Sequence, residues 1–432
     1  MAVFRRNMKS GESMKEKAPE YWEETSYFRI LPKSGIIDYP NELFSRIESI
    51  DDLEIIEAVP FEPDGSGRPG KLVVSYKDET FEAGYYIDEF HFSDSYNLRT
   101  YFFSESELSA IRVADSALVL FMNFGRDSKL SYHLQLKLAI ALVPDMLAIV
   151  DESAEKVVNA RWVRLAAQST VLPGPSSLFT VQAISNEKNE VWLHTHGLTR
   201  CGLYELEILG SDVEHYNDHY HVLSSLASRM LDKADDAPDQ AEGVHLGLFF
   251  DNSPIVTTFV SWDKGLWEYP RNILGGIADR KEGHNTHSAL IFFYDDDEDE
   301  ANGFFRKIND YDNKLTDNPL FFISDSETQR MSDLARERFG LVRYMGQKET
   351  PIIIKAGLKT DSSQQSDERE HIWLELLEID GDKIKGKLVQ NPYDISALHE
   401  GDEVWFSVND VTDWRIYLEN YSVEPDTAYL LV

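Results

Sequence analysis

The chain has 432 residues, 42% of them hydrophobic and 12% aromatic, which is enough apolar material for folded cores and excludes global disorder. Its 76 acidic against 42 basic residues leave a net charge of −34, which repels phosphate backbones and anionic lipid and argues against nucleic acid and membrane surfaces as partners. Single cores stop growing at about 250–300 residues, so this length predicts more than one domain.

The acidity is dispersed: residues 351–432 carry 17 acidic and 7 basic residues, and the remainder of the surplus lies in the first 350. Such a charge either keeps the protein soluble or steers basic partners to it. Cys201 is the only cysteine, so neither an internal disulfide nor a thiolate-rich zinc site can form, and the cytoplasm is the expected compartment. No apolar run follows Arg5 and Arg6, so no signal peptide is expected. The apolar runs 117–122 and 138–143 fall far short of the ~20 residues of a membrane helix.

In chain order, residues 1–25 are polar and read as a frayed arm. Strands are expected over 53–61, 71–77 and 80–87, with strong turn chemistry at 63–70 between the first two. Ser104 and Glu107 have the spacing of a capping box that opens a helix to about Ala114. A buried strand follows at 117–124. Over 133–143, Leu134, Leu136 and Leu138 alternate with His133, Gln135 and Lys137, the period of a half-buried strand that would form a hairpin with 146–150. Residues 156–168 read as a helix.

Pro173-Gly174-Pro175 marks a first seam. Beyond it, strands are expected at 178–184, 191–196 and 203–209, a long helix at 213–233, a hairpin of 244–250 with 255–262, and a strand at 290–294. Helical stretches at 298–311 and 325–339 close this part. After a second seam at 346–351 the chain reads as short strands, at 352–358, 371–379, 383–390, 403–408 and 414–418, with Asp380-Gly381 as a hairpin turn. The expected fold is α+β: an N-terminal domain over 1–172, a central one over 173–345, and a small all-β, barrel-like C-terminal domain over 346–432.

The candidate chemistry centres on histidines. His194 and His196 share a strand face because side chains repeat every second residue, and His215 and His219 are spaced i,i+4, with His221 nearby. Together, His194, His196, His215 and His219 could ligate zinc or another borderline divalent metal, with Glu205 or Glu207 as a carboxylate; the same residues could equally be structural. The H-E-x-x-H signature of zinc hydrolases is absent. His284 and His287 lie in a Gly-flanked loop without a supporting spacing. The acidic run 295–300 offers oxygens to a hard cation, or favourable charge to a helix N-terminus. No nucleophile elbow, Walker loop or dinucleotide fingerprint is present, so no catalytic or cofactor-binding residue is assigned. Cys201 beside a glycine turn reads as incidental or as a nucleophile near the strand histidines. Trp373, Trp405 and Trp414, with Asp410 and Asp413, form either core or a binding face.

The ordered set Glu370-His371-Ile372-Trp373-Leu374, Ile384-Lys385-Gly386-Lys387-Leu388, Asn391-Pro392, Leu398-x-x-Gly401-Asp402-x-Val404 and Val411-x-Asp413-Trp414 resembles the bacterial YegJ-like family and covers most of 350–418. Trp192-x-His194-Thr195-His196-Gly197-Leu198 with Tyr204-Glu205-Leu206-Glu207 looks like a second uncharacterised bacterial family, whose body precedes a YegJ-like module. The resemblance implies bacterial origin, a modular build and an association with toxin-immunity neighbourhoods; it implies no activity, cofactor or site residue. The leading expectation is a non-enzymatic, immunity-like binding protein for a basic protein partner. The alternative is a metal-dependent hydrolase built on the histidine cluster.

Overall fold

The computed structural model describes residues 24–34, 43–62, 68–232, 238–280, 285–362 and 368–432. The expected arm at 1–25 and turn at 63–70 lie largely outside the described residues, and His284 lies wholly outside them.

Strands β1 (Ser26–Pro32), β2 (Leu53–Val59), β3 (Gly70–Tyr76), β4 (Glu79–Glu89), β5 (Ser116–Met122), β6 (Met146–Asp151) and β7 (Lys156–Asn159) form the first sheet. Their order is β2-β3-β4-β5-β1-β6-β7, with antiparallel neighbours throughout. Helices α1 (Leu43–Glu48), α2 (Glu105–Val113), α3 (Ser128–Leu142) and α4 (Ala160–Gln168) accompany it. The capping box forms at α2: Ser104 accepts from the Glu107 N–H, and Glu107 accepts from the Ser104 N–H.

Two expectations fail here. The alternating segment 133–143 belongs to helix α3, opened by Asp127, whose carboxylate accepts from the N–H groups of Lys129 and Leu130. His133 and Gln135, the polar half of the alternation, are buried rather than solvated: His133 Nε2 donates to the Ala166 carbonyl and Gln135 bonds Ser26. Buried polar residues thus imitate the polar phase of a strand, and the hairpin with 146–150 does not form. The expected helix 156–168 begins only at Ala160, behind the Asn159 cap; residues 156–159 are strand β7.

The second sheet comprises β8 (Thr180–Ser185), β9 (Glu190–His196), β10 (Glu205–Asp212), β11 (Val244–Leu248), β12 (Pro254–Ser261), β13 (Ser288–Tyr294) and β14 (Leu320–Phe321), in the order β14-β11-β12-β13-β10-β9-β8. Only the β10–β13 pair is parallel among its described pairs. The long helix α5 (Tyr216–Asp232) packs on β10 and β11. Shorter helices α6 (Trp262–Gly265), α7 (Asp297–Asn302) and α8 (Asp312–Thr316) lie in the connections. The expected helix 298–311 is broken at Gly303, which adopts φ 65° and ends α7.

Helices α9 (Asp325–Glu337) and α10 (Phe339–Gly346) lead into the third sheet, of β15 (Ile352–Lys359), β16 (Arg369–Asp380), β17 (Lys383–Leu388), β18 (Glu403–Ser407), β19 (Val411–Tyr417) and β20 (Ser422–Val423). Gly381 makes the β16–β17 turn at φ 56°. The barrel expectation is corrected: the order β18-β17-β16-β15-β19-β20 is open, and its end strands do not pair among the described residues. The physical reason is that α9 and α10 cover one face. Ala335, Phe339 and Val342 join Ile354, Leu374 and Trp414 in one core, and the Trp414 indole donates to the Ala335 carbonyl at 3.0 Å.

The first two sheets share one apolar core. A fully buried ion pair crosses it: Arg200 holds Asp151, at the end of β6, through contacts of 2.7 and 3.0 Å, and also donates to Ser26 and the Leu178 carbonyl. Lys156, equally buried, donates to the Ser177 and Phe179 carbonyls, and burial pushes its pKa down to about 8. The third sheet is tied to the first by Tyr429, whose hydroxyl accepts from the Phe102 N–H, and by Glu337 of α9, which accepts from Ser169 and Thr170.

Two predictions follow from this packing. Asp151→Ala leaves the Arg200 guanidinium buried without its counter-ion and should destabilise the chain by about 3–5 kcal/mol in urea unfolding, whereas the double replacement Asp151→Leu with Arg200→Met should recover most of that loss. His133, 1% exposed, has its pKa pushed down to about 4, first by burial and then by Lys137 and Lys77. Between that value and the unfolded histidine's ordinary ~6.5, the unfolded chain binds a proton that the folded chain does not, so stability falls as pH drops through this window. His133→Gln should flatten that part of the acid-unfolding profile by on the order of 3 kcal/mol.

Candidate functional site

The period of β9 does place His194 and His196 together, with ring centroids 4.9 Å apart; Trp192 lies 4.3 Å from His194. His194 is fully buried and His196 nearly so. Glu155 lies 3.7 Å from His196 Nδ1 and accepts from Gln182, and the carboxylates of Glu205 and Glu207 are engaged elsewhere. Glu205 accepts from the N–H groups of Gly197, Leu198 and Thr199 at 2.7, 2.8 and 3.1 Å, and from the hydroxyls of Thr195 and Thr199. Gly197 is required there: it sits at φ 111°, and a Cβ would meet the Leu178 carbonyl at 2.5 Å. Glu207 accepts from the Trp192 indole at 2.9 Å and is clamped by Arg280 at 2.7 and 2.8 Å. Arg280 in turn lies over Trp262, 4.5 Å from its ring centroid. This end of the second sheet is a buried polar network that holds a turn and a loop in place.

The other histidine pair lies elsewhere. His194 is three residues along β9 from Val191, the partner of Ser211, and His219 bonds Ser211; at ~3.3 Å per residue this is on the order of 10 Å along the strand. The four histidines therefore do not assemble around one ion.

His215 and His219 do share a helical face, with rings stacked at 6.2 Å. They meet two aspartates that the sequence does not associate with them. Asp212, at the end of β10, accepts from the N–H groups of Glu214 and His215, and its carboxylate lies 2.9 and 3.1 Å from His215 Nδ1. Asp312, the first residue of α8, places one oxygen 3.6 Å from the same nitrogen and the other 2.9 Å from His219 Nε2. Because a carboxylate only accepts, Nε2 of His219 carries the proton, and Nδ1 takes the Ser211 hydroxyl at 2.8 Å. Burial holds His219 below its ordinary pKa despite Asp312. His215 is shifted up by Asp212 and Asp312, although partial burial opposes them. The sequence offers a signal for Asp212, a short acidic residue at the turn before a helix, but none for Asp312, 100 residues from it.

The remaining candidates resolve in other ways. Trp414 is fully buried core, because its register against Ile354 turns it toward α9. Trp373 is half-buried between Lys355 and Arg415, each 5.7 Å from its ring centroid, and only Trp405 is exposed. Asp413 accepts from the Trp414 N–H, and Asp410 pairs with Arg369 at 2.6 Å, so no acidic groove lined by two exposed tryptophans forms. In the run 295–300, Asp296 caps α7, Asp299 pairs with Arg306 at 2.9 Å and Glu300 accepts from the Gly243 N–H. A polar cleft of ≈ 390 Å³ lies between α9 and the third sheet, a place that no sequence motif marks; its Arg336 and Arg369 are already paired with Asp333 and Asp410.

These features define a three-sheet α+β protein in which polar networks stitch the modules together. Residues 26–173 match the family described as protein of unknown function (DUF4026) N-terminal, and residues 181–292 its C-terminal counterpart. Residues 340–426 match an uncharacterized protein conserved in bacteria (DUF2314). The chain thus carries both DUF4026 domains and a DUF2314 domain, families of uncharacterised function. No curated protein and no solved structure matches it. No helix among the described residues is long and apolar enough to cross a membrane.

Cys201 carries a thiol whose pKa burial pushes up to about 11, with Sγ 3.6 Å from the Gly197 carbonyl. At about pH 8 only on the order of one thiol in a thousand is then ionised. A thiol-exchange reagent should therefore label the native chain at least tenfold more slowly than the urea-unfolded chain; equal rates would show a reactive cysteine.

Proposed function

We propose that this protein is a cytoplasmic, non-enzymatic recognition protein of bacteria whose acidic surface engages a basic protein partner, as an immunity-like protein does. The third module, in this reading, is of the YegJ-like kind. The observation that supports it is where the cations go. Arg200, Arg280 and Arg330 are paired with Asp151, Glu207 and Glu327 within the fold, while the chain as a whole retains its surplus of −34. The field presented to a partner is therefore dominated by carboxylates, which steer and orient basic surfaces.

Two aromatic side chains stand in this field almost fully exposed. Trp267 is 88% exposed and precedes Glu268; Tyr393 is 92% exposed and precedes Asp394. Aromatic anchors of this kind suit a protein surface better than a free cation.

Affinity capture from bacterial lysate, repeated with purified components, should yield a basic protein whose binding weakens at least tenfold between about 0.05 and 0.5 M salt, as screening shortens the reach of the charges. Trp267→Ala or Tyr393→Ala should speed its dissociation. Recovery of nucleic acid alone, or binding indifferent to salt, would overturn the reading.

A further inference from the structure

We infer that Asp212, His215 and Asp312 form a binding site for a single zinc-class divalent cation, with His219 as the positioning residue behind it. This is independent of the recognition reading above. Three facing side chains from two separated parts of the chain carry the inference. Their ligand atoms all lie within 4.8 Å of one another, and the separations from His215 Nδ1 are 2.9 and 3.1 Å to Asp212 and 3.6 Å to Asp312. A tetrahedral ion with bonds of about 2.0–2.2 Å requires ligand atoms about 3.3–3.6 Å apart, so the separations from His215 already lie close to those of a ligand set.

Electrostatics point the same way. Two carboxylates face one imidazole, so even a protonated His215 leaves the cluster one negative charge in surplus. A divalent cation takes the place of the proton on Nδ1 and removes the surplus. Asp312, which the fold brings in from α8, accepts from the buried His219 with one oxygen and turns the other toward His215, which adds a second carboxylate to the Asp212–His215 pair.

The buried His219 gives that carboxylate a fixed orientation. Ser211 supplies the hydrogen bond to Nδ1, Nε2 donates to Oδ1 of Asp312, and Oδ2 is left facing His215. Hydrogen-bonded support behind a ligand is the usual companion of a metal site. The three ligand side chains remain 40%, 26% and 20% exposed, in the order Asp212, His215, Asp312, so a fourth position is open to water or a ligand. One imidazole and few oxygens suit zinc better than calcium, which takes 6–8 oxygen ligands, or magnesium, which demands an octahedron.

The test uses the full chain without a histidine tag. Isothermal titration with zinc chloride and elemental analysis after gel filtration should find one zinc per chain, held more tightly than magnesium or calcium. His215→Ala, at a partly exposed position, and the isosteric Asp312→Asn should each weaken zinc at least tenfold while the circular dichroism spectrum is retained. His219→Gln should weaken it by about 10–100-fold. His221→Ala, an exposed histidine outside the cluster, should leave it unchanged. The proposal is overturned if no stoichiometric zinc binds, if His215→Ala binds zinc as the parent chain does, or if magnesium or calcium binds as tightly.

Discussion

The junction of the first two sheets is built around the burial of Arg200 against Asp151, two charges that the fold must keep, or replace, together. Both side chains are wholly inaccessible, and each is useless to the fold without the other. Taking two charges out of water is costly, and only close geometry with additional hydrogen bonds offsets it. Arg200 obtains these from Ser26 on β1 and from the Leu178 carbonyl, and its guanidinium lies over the rings of Phe124 and Tyr132. The turn that presents Arg200 is itself held by Glu205, which gathers three successive N–H groups around Gly197. A strand carboxylate thus shapes a turn, the turn delivers an arginine, and the arginine joins two sheets.

The same economy of charge separates the two histidine pairs. Around His194 and His196, Glu205 and Glu207 are taken up by backbone donors, hydroxyls, an indole and an arginine in a buried place, while the partly exposed Glu155 accepts from Gln182 beside His196. Around His215 and His219 one Asp212 oxygen accepts from two backbone N–H groups and one Asp312 oxygen accepts from His219, and the second oxygen of each faces His215 at a partly open edge. Equal residue types therefore hold structure in one place and leave ligand atoms available in another.

The amphipathic signals that were legible in the sequence are those with solvent on one side. The capping box at Ser104, the β16–β17 turn at Gly381 and strands β15 to β19 of the third sheet follow from local chemistry and appear close to the expected places. The short apolar runs of the buried strands β5, β6 and β13 also appear where expected, but the buried helix α3, with His133 and Gln135 inside, has no polar face to reveal its period. The barrel expectation fails for a related reason: the strands demand a covered face, and α9 and α10 provide it, so the sheet need not close on itself.

Composition and local pattern alone determined that this is a multidomain α+β chain with a large negative surplus, a single cysteine and a strand-rich C-terminal part, because those properties are sums over residues or depend on near neighbours. Only the tertiary structure decided which histidines meet which acids. His194 and His215 belong to one sheet and its following helix, yet strand direction keeps them apart. Asp212 and Asp312, 100 residues apart, come together because α8 packs against α5. Contacts of that range leave no periodicity to read, since they are set by how whole elements bury their apolar faces.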